Sequence, residues 1–270
     1  MKLHRGRRVM LVTGASGFLG RHLVRGPVGA DWEIIAPTSS AMDITVRAQV
    51  LDTITGWKPD VVVHLAYRKH RRTIVDGSRH VAEAAAAARC RLVHLSTDVV
   101  FGGRPTPYTE RDVPDPLITY GVDKRDAELA VVAIDPAAAI IRTSLLYGTD
   151  TLSPFQIELA SAMRRGRSNM TFFTDEYRCP VHAADVAGAI GVVAAQRDVG
   201  GVLHVAGPSR VSRLDYARAL AAHAGFPDVA LPSTTVRESG QVRAGNVVLD
   251  SSLASTLGIR PRSLEDALRQ

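Results

Sequence analysis

The segment Val9-Met-Leu-Val-Thr-Gly-Ala-Ser-Gly-Phe-Leu-Gly20 constrains the fold more than any other stretch of the chain. A short apolar run ends in glycines at 14, 17 and 20, and an amphipathic segment comes next. That order is how a first strand turns into a first helix around a dinucleotide pyrophosphate. Gly14 permits the tight turn, Gly17 lets the backbone approach phosphate, and Gly20 lets helix and strand pack closely. Phosphate would then meet free N–H groups at the positive end of the helix dipole, with Ser16, Phe18 and Leu19 in the same cradle. An isolated glycine triplet also fits an ordinary turn, so its weight depends on the residues downstream of it.

Beyond Gly20 the chain alternates regularly. Strands are predicted at Val9–Thr13, Trp32–Ala36, Asp60–Leu65, Arg91–Ser96 and Ala139–Arg142. Helices are predicted at Gly17–Arg25, from a Thr45 cap to Ile54, at Ile74–Arg89 and at Tyr120–Ala133. Gly26-Pro27 stops the first of these helices. Strands alternating with helices imply parallel βαβ units in an α/β, Rossmann-type, doubly wound sheet. The rhythm then loosens. Helices are expected at Pro154–Arg165 and Ala183–Ala195, and strands at Met170–Phe173 and Gly201–Val205. Ser212-Arg-Leu-Asp215 and Ser263-Leu-Glu-Asp266 resemble capping boxes that open two further helices. We therefore divide the chain into a dinucleotide-binding domain, 1–150, and a small C-terminal α/β substrate-binding lobe, 151–270, with some chain crossing back to the sheet. In such sheets ligands bind beyond the carboxyl ends of the strands.

Composition narrows the setting. The chain has 270 residues, 46% of them hydrophobic, which suits a soluble protein with a sizeable core. It contains no apolar run long enough to span a membrane. The basic start Met1-Lys-Leu-His-Arg-Gly-Arg-Arg8 precedes an apolar run too short for a secretory signal. Cys90 and Cys179 lie far apart without metal-like spacing, which points to a reduced, cytoplasmic compartment. The net charge of +6 suggests an anionic partner. Its arginines are scattered and no nucleic-acid motif is visible, so a phosphate-bearing small molecule is expected and no nucleic acid. No histidine cluster has ligand spacing, so no catalytic metal is expected. His64 and His94 lie in apolar strands and read as satisfied core residues; His182 reads as structural.

Tyr120-Gly-Val-Asp-Lys124 carries the chemistry. On a helix, an i, i+4 pair shares one face. A free tyrosine, with a pKa near about 10, is a poor acid or base at neutrality. A neighbouring ammonium favours its phenolate and draws that pKa down. Ser96 and Thr97 end a predicted strand at the ligand edge, where a hydroxyl could donate to a substrate carbonyl. Each feature alone is common. Their order downstream of Thr13-Gly-Ala-Ser-Gly is not.

With these pieces in place the chain resembles the extended short-chain dehydrogenase/reductase family, and within it the dTDP-4-dehydrorhamnose reductase branch of sugar-nucleotide reductases. The resemblance runs through Thr13–Gly20, Met42-Asp-Ile-Thr45, Pro59–Ala66, Ser96-Thr-Asp-Val-Val-Phe101, Pro107-Tyr-Thr-Glu110, Tyr120–Lys124, Ile141–Gly148 and Asn246–Asp250, covering nearly the whole chain. It implies Thr97, Tyr120 and Lys124 as the catalytic set. Tyr120 would be the general acid, Thr97 would polarise the carbonyl, and Lys124 would hold the nicotinamide ribose. Asp43 and Ile44 would lie along the adenine, Leu65, Ala66 and Tyr67 along the middle of the cofactor, and Arg142, Thr143 and Ser144 near the nicotinamide. Ser96 would also border the cofactor. Thr97, Asp98, Val99 and Arg178 would bind substrate. Related enzymes often pair through Rossmann-domain helices, which implies a homodimer. The chain departs from the branch at Val99, usually aromatic, at Thr174–His182, and at the unusually basic Tyr67-Arg-Lys-His-Arg-Arg72. All three departures fall where substrate would be recognised.

Cofactor type turns on the end of the second strand, where an acid favours NAD. Ala36-Pro-Thr-Ser-Ser40 has none, and Thr38 and Ser39 offer hydroxyls, so NADP(H) is favoured over NAD(H). The basic run 68–72 reads either as a clamp on a nucleotide-sugar diphosphate or as a solvated turn. The leading reading is an NAD(P)H-dependent reductase of a keto-sugar nucleotide. The alternatives are an NAD-dependent sugar-nucleotide 4-epimerase, which would retain its cofactor through purification, and a non-catalytic NADP-binding regulatory subunit.

Overall fold

The computed structural model describes residues 7–165 and 170–269; the first six residues of the basic start lie outside that range. The first half runs β1 (Val9–Thr13), α1 (Phe18–Arg25), α2 (Pro27–Asp31), β2 (Glu33–Ile35), α3 (Arg47–Trp57), β3 (Val61–His64), α4 (Gly77–Ala88), β4 (Arg91–Thr97), α5 (Thr119–Ile134) and β5 (Ala139–Thr143). The second half adds β6 (Leu146–Tyr147), α6 (Pro154–Arg164), β7 (Phe172–Phe173), β8 (Tyr177–Arg178), β9 (Val181–His182), α7 (Ala183–Ala195), β10 (Gly201–Val205), β11 (Val211–Ser212) and α8 (Arg213–His223).

Six strands form one sheet in the order β10-β5-β4-β3-β1-β2, every neighbouring pair parallel. The alternation of strand and helix in the sequence is thus realised as a doubly wound sheet. Its last strand, β10, returns from the second half of the chain to pair with β5. β2 and β3 flank β1 on opposite sides, so the connections leave β1 in opposite directions and open a crevice beyond its carboxyl end.

Both faces of the sheet are covered, which is why the strands read as unbroken apolar runs. Met10, Val12, Val61, Val63, Val93 and Ile141 pack towards Leu23 of α1 and Ile190 of α7. Their alternates Leu11, Val62, Leu92 and Ile140 pack with Val50 of α3, Val81 of α4 and Val131 of α5. Each such fully buried side chain is worth roughly 1.5–3 kcal/mol. A separate cluster, including Tyr147, Leu159, Phe172, Tyr216 and Leu220, holds α6 and α8 together beside the sheet.

Local signals translate unevenly. Ser212 and Ser263 cap their helices as expected, accepting from the backbone N–H of Asp215 at 3.0 Å and of Asp266 at 3.1 Å. Thr45 does not cap α3. It donates instead, from backbone and hydroxyl, to Asp43 Oδ1 at 2.9 and 2.8 Å, and α3 begins later, at Arg47. The helix expected from Ile74 starts with a π-turn over Arg72–Asp76 before α4 proper. π-turns of this kind frequently mark functional sites.

Candidate active site

The glycine turn is tight enough to require its glycines. Gly14 has φ of 71°, and a Cβ there would lie 2.7 Å from Ala66 Cα. A Cβ on Gly20 would lie 2.3 Å from Gly14 O. Gly17 precedes α1 and donates its N–H to Gly14 O at 2.9 Å. The first turn of α1 therefore faces outward with free N–H groups at its positive end. This cradle, which any side chain would fill, fits a dinucleotide pyrophosphate.

Buried polar groups fix the neighbouring strand ends. The Ser78 hydroxyl donates to Ile74 O at 2.6 Å and so accepts from His64 Nε2 at 3.2 Å. His64 Nδ1 then accepts from the Thr13 hydroxyl at 2.7 Å, and Thr13 Oγ1 accepts from Ala66 N–H at 3.2 Å. Burial, and then the charge of Lys124, pull the His64 pKa down to about 3, so this relay stays neutral and locks β1 to the turn after β3. His94, its tilted neighbour at 5.4 Å between ring centroids, departs from the satisfied-core reading. It is buried, borders the crevice, and neither ring nitrogen has a partner among the described residues.

A cavity of about 1040 Å³ runs along the carboxyl edge of the sheet. One end is walled by Gly14, Ser16, Gly17, Phe18, Leu19 and Gly20, next to Thr38, Ser39, Asp43 and Ile44. Leu65, Ala66 and Tyr67 line its middle. Ser96, Thr97, Tyr120, Lys124 and Thr143 line the other end. Ser144, expected near the nicotinamide, lines this wall too, and sequence reasoning did not single out Leu146 of β6 or Pro154 at the start of α6, which complete it.

Within that far end, α5 presents Tyr120, Lys124 and Glu128 at successive four-residue steps. The Tyr120 ring meets Tyr67 edge-on, with centroids 5.4 Å apart, and Thr97, whose hydroxyl is 3.3 Å from Asp98 Oδ1, shares this end of the cavity with it. Lys124 is buried and donates to Leu95 O at 2.6 Å. The expectation that Lys124 draws the tyrosine pKa down is corrected here. Burial, and then the Tyr67 phenol, push the Tyr120 pKa up, while the ammonium is turned to the Leu95 carbonyl beneath. Burial lowers the Lys124 pKa to about 8, against the opposing charge of Glu128. The pair is thus a protonated phenol above a buried, readily deprotonated ammonium.

Four expected contacts are corrected. Arg142 does not reach the cavity. It points to the opposite face of β5, where Nη2 lies 2.7 Å and Nε 3.1–3.2 Å from the Glu128 carboxylate. Glu128 also accepts from the Ser96 hydroxyl. Arg178 is buried, with Nη1 donating to Tyr177 O at 2.7 Å and Ala244 O at 2.8 Å, Nη2 3.3 Å from Glu176, and Nε 3.7 Å from Asp98. Its donors are spent inside the protein. Asp98 is likewise buried, accepting from the Ser144 hydroxyl at 2.6 Å; burial raises its pKa against the charge of Arg178. Asp98 and Arg178 thus brace the turn that carries Thr97, and neither lines the cavity. Val99 is half-buried in that turn, also outside the cavity wall. His182 is structural as read: its Nδ1 accepts from Ala184 N–H at 3.2 Å at the start of α7.

Residues 8–270 match the family described as RmlD substrate binding domain. The chain belongs to this family. It is an extended short-chain dehydrogenase/reductase of the NAD(P)-dependent oxidoreductase type, with the α/β fold read from its sequence. It is 33% identical to dTDP-4-dehydrorhamnose reductase of Mycobacterium tuberculosis, over 78% of this chain and 74% of that protein. It is 30% identical to methionine adenosyltransferase 2 subunit beta of Rattus norvegicus, over 95% of this chain and 84% of that one. Among solved structures it is similar to dTDP-4-dehydrorhamnose reductase of Bacillus anthracis in complex with NADP, with a TM-score of 0.86, 25% identity, and coverage of 97% and 98% of the two chains.

Proposed function

We propose that the protein is an NAD(P)H-dependent reductase of a keto-sugar nucleotide, resembling dTDP-4-dehydrorhamnose reductase. The observation that carries this reading is the convergence of Thr97, Tyr120 and Lys124 at one end of a crevice whose other end is the glycine cradle. Bound NAD(P)H would supply hydride to the carbonyl carbon. Tyr120, kept protonated by burial, would deliver its proton to the carbonyl oxygen, and Thr97 would hold that oxygen with a hydrogen bond. A C=O group thereby becomes CH–OH, and the Tyr120 phenolate is reprotonated from solvent. Lys124 would hold the ribose. NADP(H) is the preferred cofactor in this reading, because the segment Ala36-Pro-Thr-Ser-Ser40 directly after β2 brings Thr38 and Ser39 to the wall and carries no acid.

A screen of nucleotide-linked keto sugars, monitoring NADPH and NADH absorbance, tests the proposal. Oxidation of reduced cofactor that depends on one such sugar supports it. Cofactor binding without turnover of any would favour the second reading, a non-catalytic NADP-binding subunit. The likeness to a protein named as a subunit of methionine adenosyltransferase favours that reading. The complete Thr97–Tyr120–Lys124 set supports the reductase over it. Tight retention of NAD through purification would favour the epimerase.

The pH profile is set by two groups with opposite shifts. Tyr120 stays protonated well above neutrality because its pKa is raised. Lys124, lowered to about 8, loses its charge first. The reductive rate is therefore expected to fall as pH rises through about 8, through loss of the ammonium and not of the acid. Initial rates between pH 6 and 10, at about saturating and sub-saturating cofactor, check this. A rate still flat above pH 9 contradicts it.

Among the described residues no helix is long and apolar enough to cross a membrane. The free, buried Cys90 and Cys179 support a reduced, cytoplasmic setting. Exposed Leu129 and Val132 on α5 support association of two copies through Rossmann-domain helices.

A further inference from the structure

The basic run after β3 divides in two. Arg71 turns towards α5, its Nη1 2.8 Å from Asp123 Oδ1 and 2.8 Å from Asp126 Oδ2. Arg68, His70 and Arg72 instead enter the cavity wall. Both of these arginines are exposed, and neither guanidinium has a hydrogen bond or ion pair among the described residues. Anchoring by Arg71 thus leaves two uncompensated cations facing a ligand crevice.

Packing decides which end of the crevice they face. The Ile44 side chain occupies the space over Gly77, where a Cβ would lie 2.8 Å from Ile44 Cδ1. His80 Nδ1 donates to Ile44 O at 2.9 Å. These contacts tie the Asp43–Thr45 turn to the start of α4, and Arg72 opens the π-turn that leads into α4. Among the described residues Asp43 forms no ion pair. Its Oδ1 is held by the backbone and hydroxyl of Thr45, and the nearby Arg72 and Arg68 charges add to the lowering of its pKa that those bonds begin. Thr38, Ser39 and Ser40 line the same end. This is the adenosine end, because the residues after β2 meet the adenosine ribose in a doubly wound sheet. The pyrophosphate already has the glycine cradle and the α1 N-terminus. Two unpaired guanidinium groups at the adenosine end therefore call for a second anionic group.

We propose that Arg68 and Arg72 bind the 2′-phosphate of NADP(H), so that cofactor choice is made from the β3–α4 connection, with the Thr38–Ser40 hydroxyls opposite. The assignment rests on the reading that this crevice holds a dinucleotide. It replaces the diphosphate clamp on the substrate that the basic run first suggested.

The test measures dissociation constants for NADPH and NADH by cofactor fluorescence, without substrate, in the unaltered protein, Arg68→Ala, Arg72→Ala and the double variant. Each single substitution is expected to weaken NADPH about tenfold and the pair about a hundredfold, as for hydrogen bonds to a charged group, with NADH changed less than about twofold. Retained NADH affinity also shows that the variants are folded. In competition, 2′,5′-ADP should outperform ADP in the unaltered protein and lose that advantage in the double variant. Equal weakening of NADPH and NADH would overturn the assignment, placing the arginines on the shared part of the cofactor. Unchanged NADPH affinity in the double variant would also overturn it. Absence of binding of either cofactor to the unaltered protein would instead bring down the dinucleotide reading itself.

Discussion

Tyr120→Phe is expected to reduce keto-sugar turnover by roughly 10²–10⁴-fold, the range for loss of a positioned general acid, while leaving cofactor affinity close to that of the unaltered protein. The substitution removes one oxygen and little else. The phenylalanine ring keeps the edge-on contact that Tyr120 makes with Tyr67 at 5.4 Å, and Lys124 keeps its bond to Leu95 O. What disappears is the proton that burial holds on the phenol. The measurement is kcat and kcat/KM on the sugar identified by the screen, beside the NADPH dissociation constant. Both kinetic constants should fall together, because the proton transfer is made only in the transition state. Turnover retained within a few-fold of the unaltered protein would end the assignment of Tyr120 as the acid, and with it the proposed mechanism.

The strands and the glycine turn were legible because their signals are local. β1 occupies the predicted Val9–Thr13, and α7 and β10 occupy the predicted Ala183–Ala195 and Gly201–Val205. Tyr120 and Lys124 were legible as a pair because four residues of helix bring them to one face. Glu128 completes that face one step further along, yet a glutamate on a helix ordinarily reads as solvated. Only its buried partners, Arg142 and Ser96, give it a meaning, and they come from two other strands. Arg178 was misread for a similar reason. Two of its partners, Asp98 and Ala244, are remote in sequence, and its neighbours Glu176 and Tyr177 could not by themselves show that the guanidinium is turned inward. The run 68–72 looked uniform in sequence. Its division into an anchor, Arg71, and the cavity residues Arg68, His70 and Arg72 depends on Asp123 and Asp126 of α5.

Arg142 offers the sharpest test of what those long-range contacts are worth. In a strand, neighbouring residues face opposite sides. Thr143 meets the cavity and Arg142, like Ile140, meets the helices behind the sheet. Its ion pair with Glu128 is almost wholly buried, at 4% and 5% side-chain exposure, and its guanidinium carbon lies 5.1 Å from the centroid of the Phe101 ring. Among the described residues, Arg142→Ala leaves the Glu128 carboxylate with the Ser96 hydroxyl as its hydrogen-bonding side chain and the Lys124 charge nearby. Breaking a buried pair from one side costs about 3–5 kcal/mol, because the remaining charge is uncompensated. A drop in Tm of roughly ten degrees is expected from such a loss in a chain of this size. Replacing both partners, Glu128→Met with Arg142→Met, should recover part of that stability, since neither member of the pair is then left alone, while the buried Lys124 loses the Glu128 charge that opposes its desolvation. Urea denaturation of the unaltered protein and both variants measures the difference. NADPH affinity, taken well below the melting transition, separates this role from the cofactor contact that the sequence suggested. A structural arginine lowers stability and leaves that affinity unchanged, whereas one that touched the cofactor would weaken binding even where the protein remains folded.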